Sequence, residues 1–106
     1  MFSARWTASE KRVARRAFDA ALQRELADVM AEFKRRAAAV KEPEDMWAVE
    51  RFLAAAGKDI DAKYDYRYSQ LEIVFARLLR EGRIAEHDLQ GLSEDKLTFI
   101  RGIASH

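Results

Sequence analysis

Cysteine is absent from this chain, which excludes disulfide staples, thiolate nucleophiles and thiolate-held zinc. Histidine occurs twice, at His87 and His106, too sparsely for a His-rich metal centre, so neither a metal nor another cofactor is expected. Proline occurs once, and the four glycines stand isolated at positions 57, 82, 91 and 102, which leaves no phosphate-cradling loop. No apolar run approaches the ~18 residues of a membrane span. The N-terminal stretch lacks the apolar centre of a signal peptide. A cytoplasmic location without membrane insertion is the resulting expectation. Against these absences stand 106 residues that are 49% hydrophobic and 35% charged. That composition suits one helix-rich domain, expected over residues 1–106.

The net charge of +1 hides an asymmetry. Residues 1–41 carry ten Lys/Arg against five Asp/Glu, and residues 42–106 carry nine against thirteen. Nucleic-acid binding needs a concentrated basic surface. Here acids dilute the basic excess along one long helix, and a solvated helix face is the simpler reading, with no nucleic acid as partner.

Thr7 followed three residues later by Glu10 reads as a capping box opening the first helix, about residues 8–41. Phe18, Leu22, Leu26, Val29, Met30, Phe33, Ala37 and Val40 recur three or four apart, the spacing of one apolar helical stripe. Glu42-Pro43-Glu44-Asp45 breaks the chain and starts a second helix expected to reach Gly57. Lys58 to Asp61 reads as a short acidic joint, and a third helix is expected from about Ala62 to Glu81, with Tyr64, Tyr68, Leu71, Phe75 and Leu78 on its stripe. Gly82 is a natural stop; a short helix over 84–90 and a last one capped by Ser93 complete an all-α chain. The first helix would be about 50 Å long, at ~1.5 Å per residue, against a diameter near 33 Å for a compact chain of this size. It overhangs its own domain. A second copy covering the protruding stripe makes an isologous homodimer the expectation; a first helix that kinks and folds back is the alternative.

Little points to chemistry. Asp59-x-Asp61-x3-Asp65 lacks the turn glycine and spaced glutamate of a calcium loop. Glu86, His87 and Asp88 are consecutive and do not converge, and Ser69 has neither a histidine partner nor elbow glycines. Tyr64, Tyr66 and Tyr68 could stack a base or a pigment, though core packing with hydroxyls at the rim explains them more simply. Residues 84–90 and 94–103 have helix-turn-helix spacing, but Glu94 and Asp95 would meet phosphates; a DNA-binding dimer stays only as the weakest alternative.

Three stretches taken together carry a family resemblance. They are Trp6-Thr7 with Gln23-Arg24-Glu25-Leu26; Met46-Trp47 with Phe52-Leu53; and the run Asp59 to Arg67 leading to Val74-Phe75-Ala76-Arg77-Leu78 and Glu81-Gly82. In order and spacing, from Trp6 to Lys96, the chain resembles the fluorescence recovery protein family of cyanobacteria. The resemblance implies a cofactor-free, non-enzymatic regulator. It implies binding to the C-terminal, NTF2-like domain of photoactivated orange carotenoid protein, hastening that protein's return to its orange resting state. The implied fold is an all-α homodimer with an extended two-helix arm, here about residues 7–57, and a C-terminal helical head, about 59–106.

Carried over by position, the resemblance places partner binding at Trp47, Glu50, Arg51 and Gly57 on the arm and at Ile73 and Phe99 on the head. The dimer interface is expected at Leu26, Val29, Phe33, Met46 and Trp47. The family's second helix typically reads Trp-x-x-His-Asp-Phe-Leu with an Arg a few residues later. Glu50 stands here where His is typical, Arg51 where Asp is, and Gly57 where Arg is. Ile73 replaces a partner-facing Phe, and Phe99 a basic residue. Scaffold positions match better than partner-facing ones. The resemblance therefore leaves a second reading open, a divergent homologue from outside the cyanobacteria that binds a different NTF2-like or sensory partner.

Overall fold

The chain enters α1 (Ala8–Ala38) through the expected capping box: the Thr7 hydroxyl accepts the Glu10 N–H at 3.1 Å, and Glu10 Oε1 accepts the Thr7 N–H at 2.9 Å. The computed structural model describes residues 5–106; the first four, part of the stretch read above for a leader segment, lie outside the described residues. With no Gly or Pro in its length, α1 runs unbroken for 31 residues, so the folded-back alternative does not form. It stops at Ala38, short of residue 41, where the Ala39 and Val40 N–H groups bond to Arg36 and Ala37 carbonyls in a tightened last turn.

Pro43 opens α2 (Pro43–Lys63), and Asp45 Oδ2 accepts the Lys41 and Glu42 N–H groups, both at 3.0 Å. The expected end at Gly57 and the joint at Lys58–Asp61 are both corrected: α2 continues straight through them. Its inner stripe explains why. Val49, Phe52, Ala56, Ile60 and Lys63 fall three or four apart against α1, and the last two are buried. Burial of that last turn outweighs the ~1 kcal/mol helix penalty of one glycine.

The third helix is corrected as well. It does not begin at Ala62; residues 64–67 form a non-helical strap that ends in a turn over 68–70, and α3 spans only Leu71–Arg80. Tyr64, Tyr66 and Tyr68 therefore alternate at a strand's period of two, and all three turn toward α1. Phe18 meets the Tyr64 and Tyr66 rings edge-on at 5.4 and 4.9 Å, and the buried Trp6 donates its indole N–H to the Tyr68 carbonyl at 3.1 Å. The structure supports the core-packing reading of the trio.

Gly82, at φ +74°, ends α3 in a Schellman motif, with Arg83 N–H to Leu78 C=O at 2.8 Å and Gly82 N–H to Leu79 C=O at 3.1 Å. The helix expected over 84–90 is instead a single 3-10 turn, Glu86–Leu89, which removes the first helix of the helix-turn-helix alternative. Ser93 caps α4 (Glu94–Ala104), its hydroxyl accepting the Lys96 N–H at 3.3 Å.

The core gathers at one end. Phe18, Leu71, Phe75, Leu78, Leu89 and Ile100 are buried where α3 and α4 pack under the first half of α1. Beyond it, α2 and the rest of α1 continue as an antiparallel hairpin. The chain measures 53 × 22 × 21 Å with a radius of gyration of 16.7 Å, against roughly 13 Å for a compact chain of this length. The arm overhangs, as the helix length required.

Two glycines should respond oppositely to alanine. Gly57 is helical and a Cβ there meets nothing within 4 Å, so Gly57→Ala should stabilise by about 0.5–1 kcal/mol. Gly91 sits at φ +110° with Val13 Cγ2 only 2.9 Å from an added Cβ, so Gly91→Ala should destabilise by about 1–3 kcal/mol. Urea unfolding of both variants checks the pair; equal midpoints would contradict it.

Candidate protein-interaction surfaces

Where arm meets head, a buried ionic cluster joins α1, α2 and α3. The Lys63 side chain, 2% exposed at the end of α2, reaches Glu25 Oε2 of α1 at 2.6 Å and Glu81 Oε1, just past α3, at 2.8 Å. The Tyr64 hydroxyl donates to Glu25 Oε1 at 2.8 Å, and Arg83 Nε lies 3.5 Å from the same oxygen. Burial, then the bond to the Glu25 carboxylate, pushes the Tyr64 phenol well above its ordinary value. Arg77 continues the cluster outward to Glu81 at 2.8 Å and Asp59 at 3.1 Å. Asp65 is bound by Arg67 and Asp59 by Arg77, so two of the three acids of the calcium-like spacing are engaged by separate arginines. A second buried pair closes the head: Lys96 Nζ lies 3.3 Å from Glu10 Oε1, whose other oxygen accepts the Ser93 N–H at 2.9 Å.

Burial alone would raise the Glu10 and Glu81 carboxyls. Hydrogen bonds outweigh it, from Thr7, Ser93 and Lys96 onto Glu10 and from Lys63 and Arg77 onto Glu81, and hold both below the usual 4.5. A carboxyl with a depressed folded pKa takes up its proton more readily in the unfolded chain. Its contribution is full above the unfolded value and is lost as pH falls through the folded one. The thermal midpoint should therefore hold down to about pH 5 and fall steeply below it. A midpoint unchanged at about pH 3 would contradict this.

The arm exposes what the head does not cover. Leu26 and Met30 of α1 are 38% and 54% exposed; on α2, Met46, Trp47 and Leu53 are 49%, 54% and 40% exposed. Val29 and Phe33 are half-buried under α2. At 100° per residue, Met46 and Leu53 flank the inner stripe of α2, whereas Trp47, Arg51 and Ala54 project from its far side, with Glu50 between the two. Glu50, Arg51 and Gly57 are all exposed, and neither charged group makes an ion pair among the described residues. On the head, Ile73 is exposed on α3, while Phe99 on α4 is half-buried and engaged. His87 stands exposed on the 3-10 turn with Nε2 3.4 Å from Asp88 Oδ1, so these two approach against expectation, while Asp88 also caps Ala85 and Glu86 is bound to Arg101. No group of three or more His, Asp or Glu that could hold a metal occurs among the described residues. No helix there is long and apolar enough to cross a membrane.

Met30 and Leu53 are absent from the sequence-expected interface, although the helical stripe and the Phe52-Leu53 pair had marked both as apolar. The ionic cluster was missed altogether. Its one signal was that Glu25 and Lys63 occupy stripe positions, three after Leu22 and three after Ile60.

The family profile described as "Photoprotection regulator fluorescence recovery protein" matches residues 6–104, nearly the whole chain. The chain belongs to the fluorescence recovery protein family. It is 37% identical over 99 residues to the fluorescence recovery protein of Synechocystis sp., covering 93% of this chain and 91% of that one. The solved structure of the Fremyella diplosiphon fluorescence recovery protein superposes with a TM-score of 0.92 at 38% identity, over 96% of this chain and all of that one. The Synechocystis structure gives 0.91 at 35% identity, over the same shares. The all-α fold is that of the family, and the family is one of photoprotection regulators.

Proposed function

We propose that this chain acts as a homodimeric, non-enzymatic regulator. It binds the NTF2-like domain of an orange carotenoid protein in the photoactivated state and hastens that protein's return to rest. The observation that carries the dimer is the arm's exposed apolar side chains: Leu26 at the edge of the head, and Met30, Met46 and Leu53 further along the arm. Family membership carries the photoprotective role. Trp47, facing away from the inner stripe with Arg51, is then available to the partner while the flank of α2 that carries Met46 and Leu53 is taken by the second copy. Regulation of this kind needs no catalytic group. A partner that binds closing conformations better than open ones lowers the barrier between them.

A second reading keeps the dimer and changes the partner. It is favoured by Glu50, Arg51 and Gly57, which set charges on the partner-facing arm unlike the family's. Complementary charge selects partners, and like charges across an interface cost several kcal/mol.

Met46→Glu tests the assembly. It places an unpaired carboxylate where the second arm must pack, at a cost of several kcal/mol. Size-exclusion chromatography with light scattering should give twice the 12.2 kDa chain mass for the wild type and a single chain for the variant. A monomeric wild type at tens of micromolar would overturn the dimer.

A further inference from the structure

The head carries a cleft that the fold itself leaves unfilled. The end of α2, the strap, α3 and α4 meet around a space of about 200 Å3. Its aliphatic wall is Val74, Ile103 and the exposed Ile73; its polar groups are Gln70 and Arg80. Arg80 also borders a second, more open depression of about 400 Å3 beside Leu79 and Ala104, so the two spaces meet across one guanidinium.

Charge decides what such a cleft accepts. Five ionic groups besides Arg80 line the two spaces, and each is already engaged. Lys63 is held by Glu25 and Glu81, Arg77 by Glu81 and Asp59, and Asp65 by Arg67. At the second depression, Arg101 is bound to Glu86. Arg80 makes no ion pair or hydrogen bond among the described residues, and the half-buried Gln70 carboxamide makes none either. The uncompensated charge is positive. It sits beside an amide able to pair with one peptide group through both its N–H and its C=O, and beside an aliphatic wall.

We propose that this cleft docks an extended acidic segment of the partner protein, with one aliphatic side chain against Ile73, Val74 and Ile103 and an adjacent carboxylate on Arg80. The proposal rests on the reading of the chain as a protein-binding regulator and deepens it by giving the chemistry of the bound segment. Gln70 reads the segment's backbone, and Arg80 reads its charge in a bidentate fork that lysine would not reproduce. The arm surface around Trp47 is a separate contact, so the head and arm engage different parts of one partner.

The test is a titration of 15N-labelled protein with a capped peptide bearing leucine flanked by aspartates, beside the same peptide with asparagines. The acidic peptide should shift the amides of Gln70, Ile73, Arg80 and Ile103 saturably, and the neutral one should bind roughly tenfold more weakly. Arg80→Glu should abolish the acidic peptide's binding, and about 0.5 M salt should weaken it in the wild type. Arg80 is exposed at the end of α3, so circular dichroism should show the variant folded. Equal binding of the two peptides, shifts confined to the arm, or no shifts at all would overturn the proposal. Loss of self-association in Arg80→Glu would assign the cleft to a second copy and overturn it too. A parallel measurement on intact photoactivated orange carotenoid protein separates the two readings. Peptide binding without carotenoid-protein binding refutes the family partner and leaves the cleft's chemistry standing. Carotenoid-protein binding unaffected by Arg80→Glu refutes the cleft and leaves the partner standing.

Discussion

Replacing Lys63 by alanine should destabilise the protein by about 3–5 kcal/mol, the cost of removing one partner from a buried ion pair. Lys63 Nζ is the only cation within hydrogen-bonding distance of Glu25 among the described residues, at 2.6 Å, and the Glu25 side chain is 9% exposed. Without it, Glu25 keeps the Tyr64 hydroxyl and a more distant Arg83, too little to offset the desolvation of a carboxylate. The same substitution frees Glu81 from the end of α2, so arm and head lose their ionic tie together. Removing the opposing charge should recover much of the loss. Lys63→Met with Glu25→Gln leaves a neutral amide that Tyr64 still bonds, and the pair of changes should cost far less than Lys63→Met alone. Urea unfolding at fixed protein concentration reads the cycle, because the stability of the proposed dimer would depend on concentration. A loss below about 1 kcal/mol for Lys63→Ala would mean that water reaches the junction and the pair is worth no more than a surface one.

That cluster also marks where the sequence stopped being legible. Three helix starts were readable because they rest on local chemistry: Thr7 with Glu10, Pro43 with its acids and Ser93 before α4. The overhanging arm was readable because α1 has no breaker and its length is arithmetic. The junction was not, because two signals pointed the wrong way. Gly57 followed by Lys58 and Asp59 resembles a helix end, yet Ile60 and Lys63 find burial one turn further on. Tyr64, Tyr68, Leu71 and Phe75 keep a helical spacing, while Tyr64, Tyr66 and Tyr68 keep a strand's, and one stretch of sequence cannot satisfy both. Phe18, Trp6 and Glu25 decide in favour of the strap, from as far as 62 residues away in sequence. Of the large exposed apolar side chains, Leu26, Met46, Trp47 and Ile73 are among the residues expected at an interface. Met30 and Leu53 were marked as apolar but not assigned to the interface, because a helical stripe does not say whether its own chain or another one covers it.

The triple change Glu50→His, Arg51→Asp, Gly57→Arg should raise action on a cyanobacterial orange carotenoid protein by roughly tenfold or more. Arg51 decides the size of the effect. It presents a cation where the family presents a carboxylate, so a partner surface suited to the family meets a charge of the wrong sign. Repulsion of that kind removes binding more effectively than the loss of a contact. The structure permits the change without damage. Glu50 and Arg51 are exposed on the arm and make no ion pairs among the described residues, and an added side chain at Gly57 meets nothing within 4 Å. Gly57 also lies within α2 in a helical conformation, so arginine there should favour the helix by about 0.5–1 kcal/mol. The unfolding midpoint should stay level or rise while binding increases, which separates a remade surface from a repaired fold. The measurement is the dark decay of red-form absorbance, with wild type and variant at several protein ratios and two salt concentrations. The variant should accelerate the decay and lose part of that acceleration as salt rises, because the restored contacts are ionic. Wild-type protein that already accelerates recovery at substoichiometric amounts would show that Arg51 does not oppose the partner, and would remove the second reading.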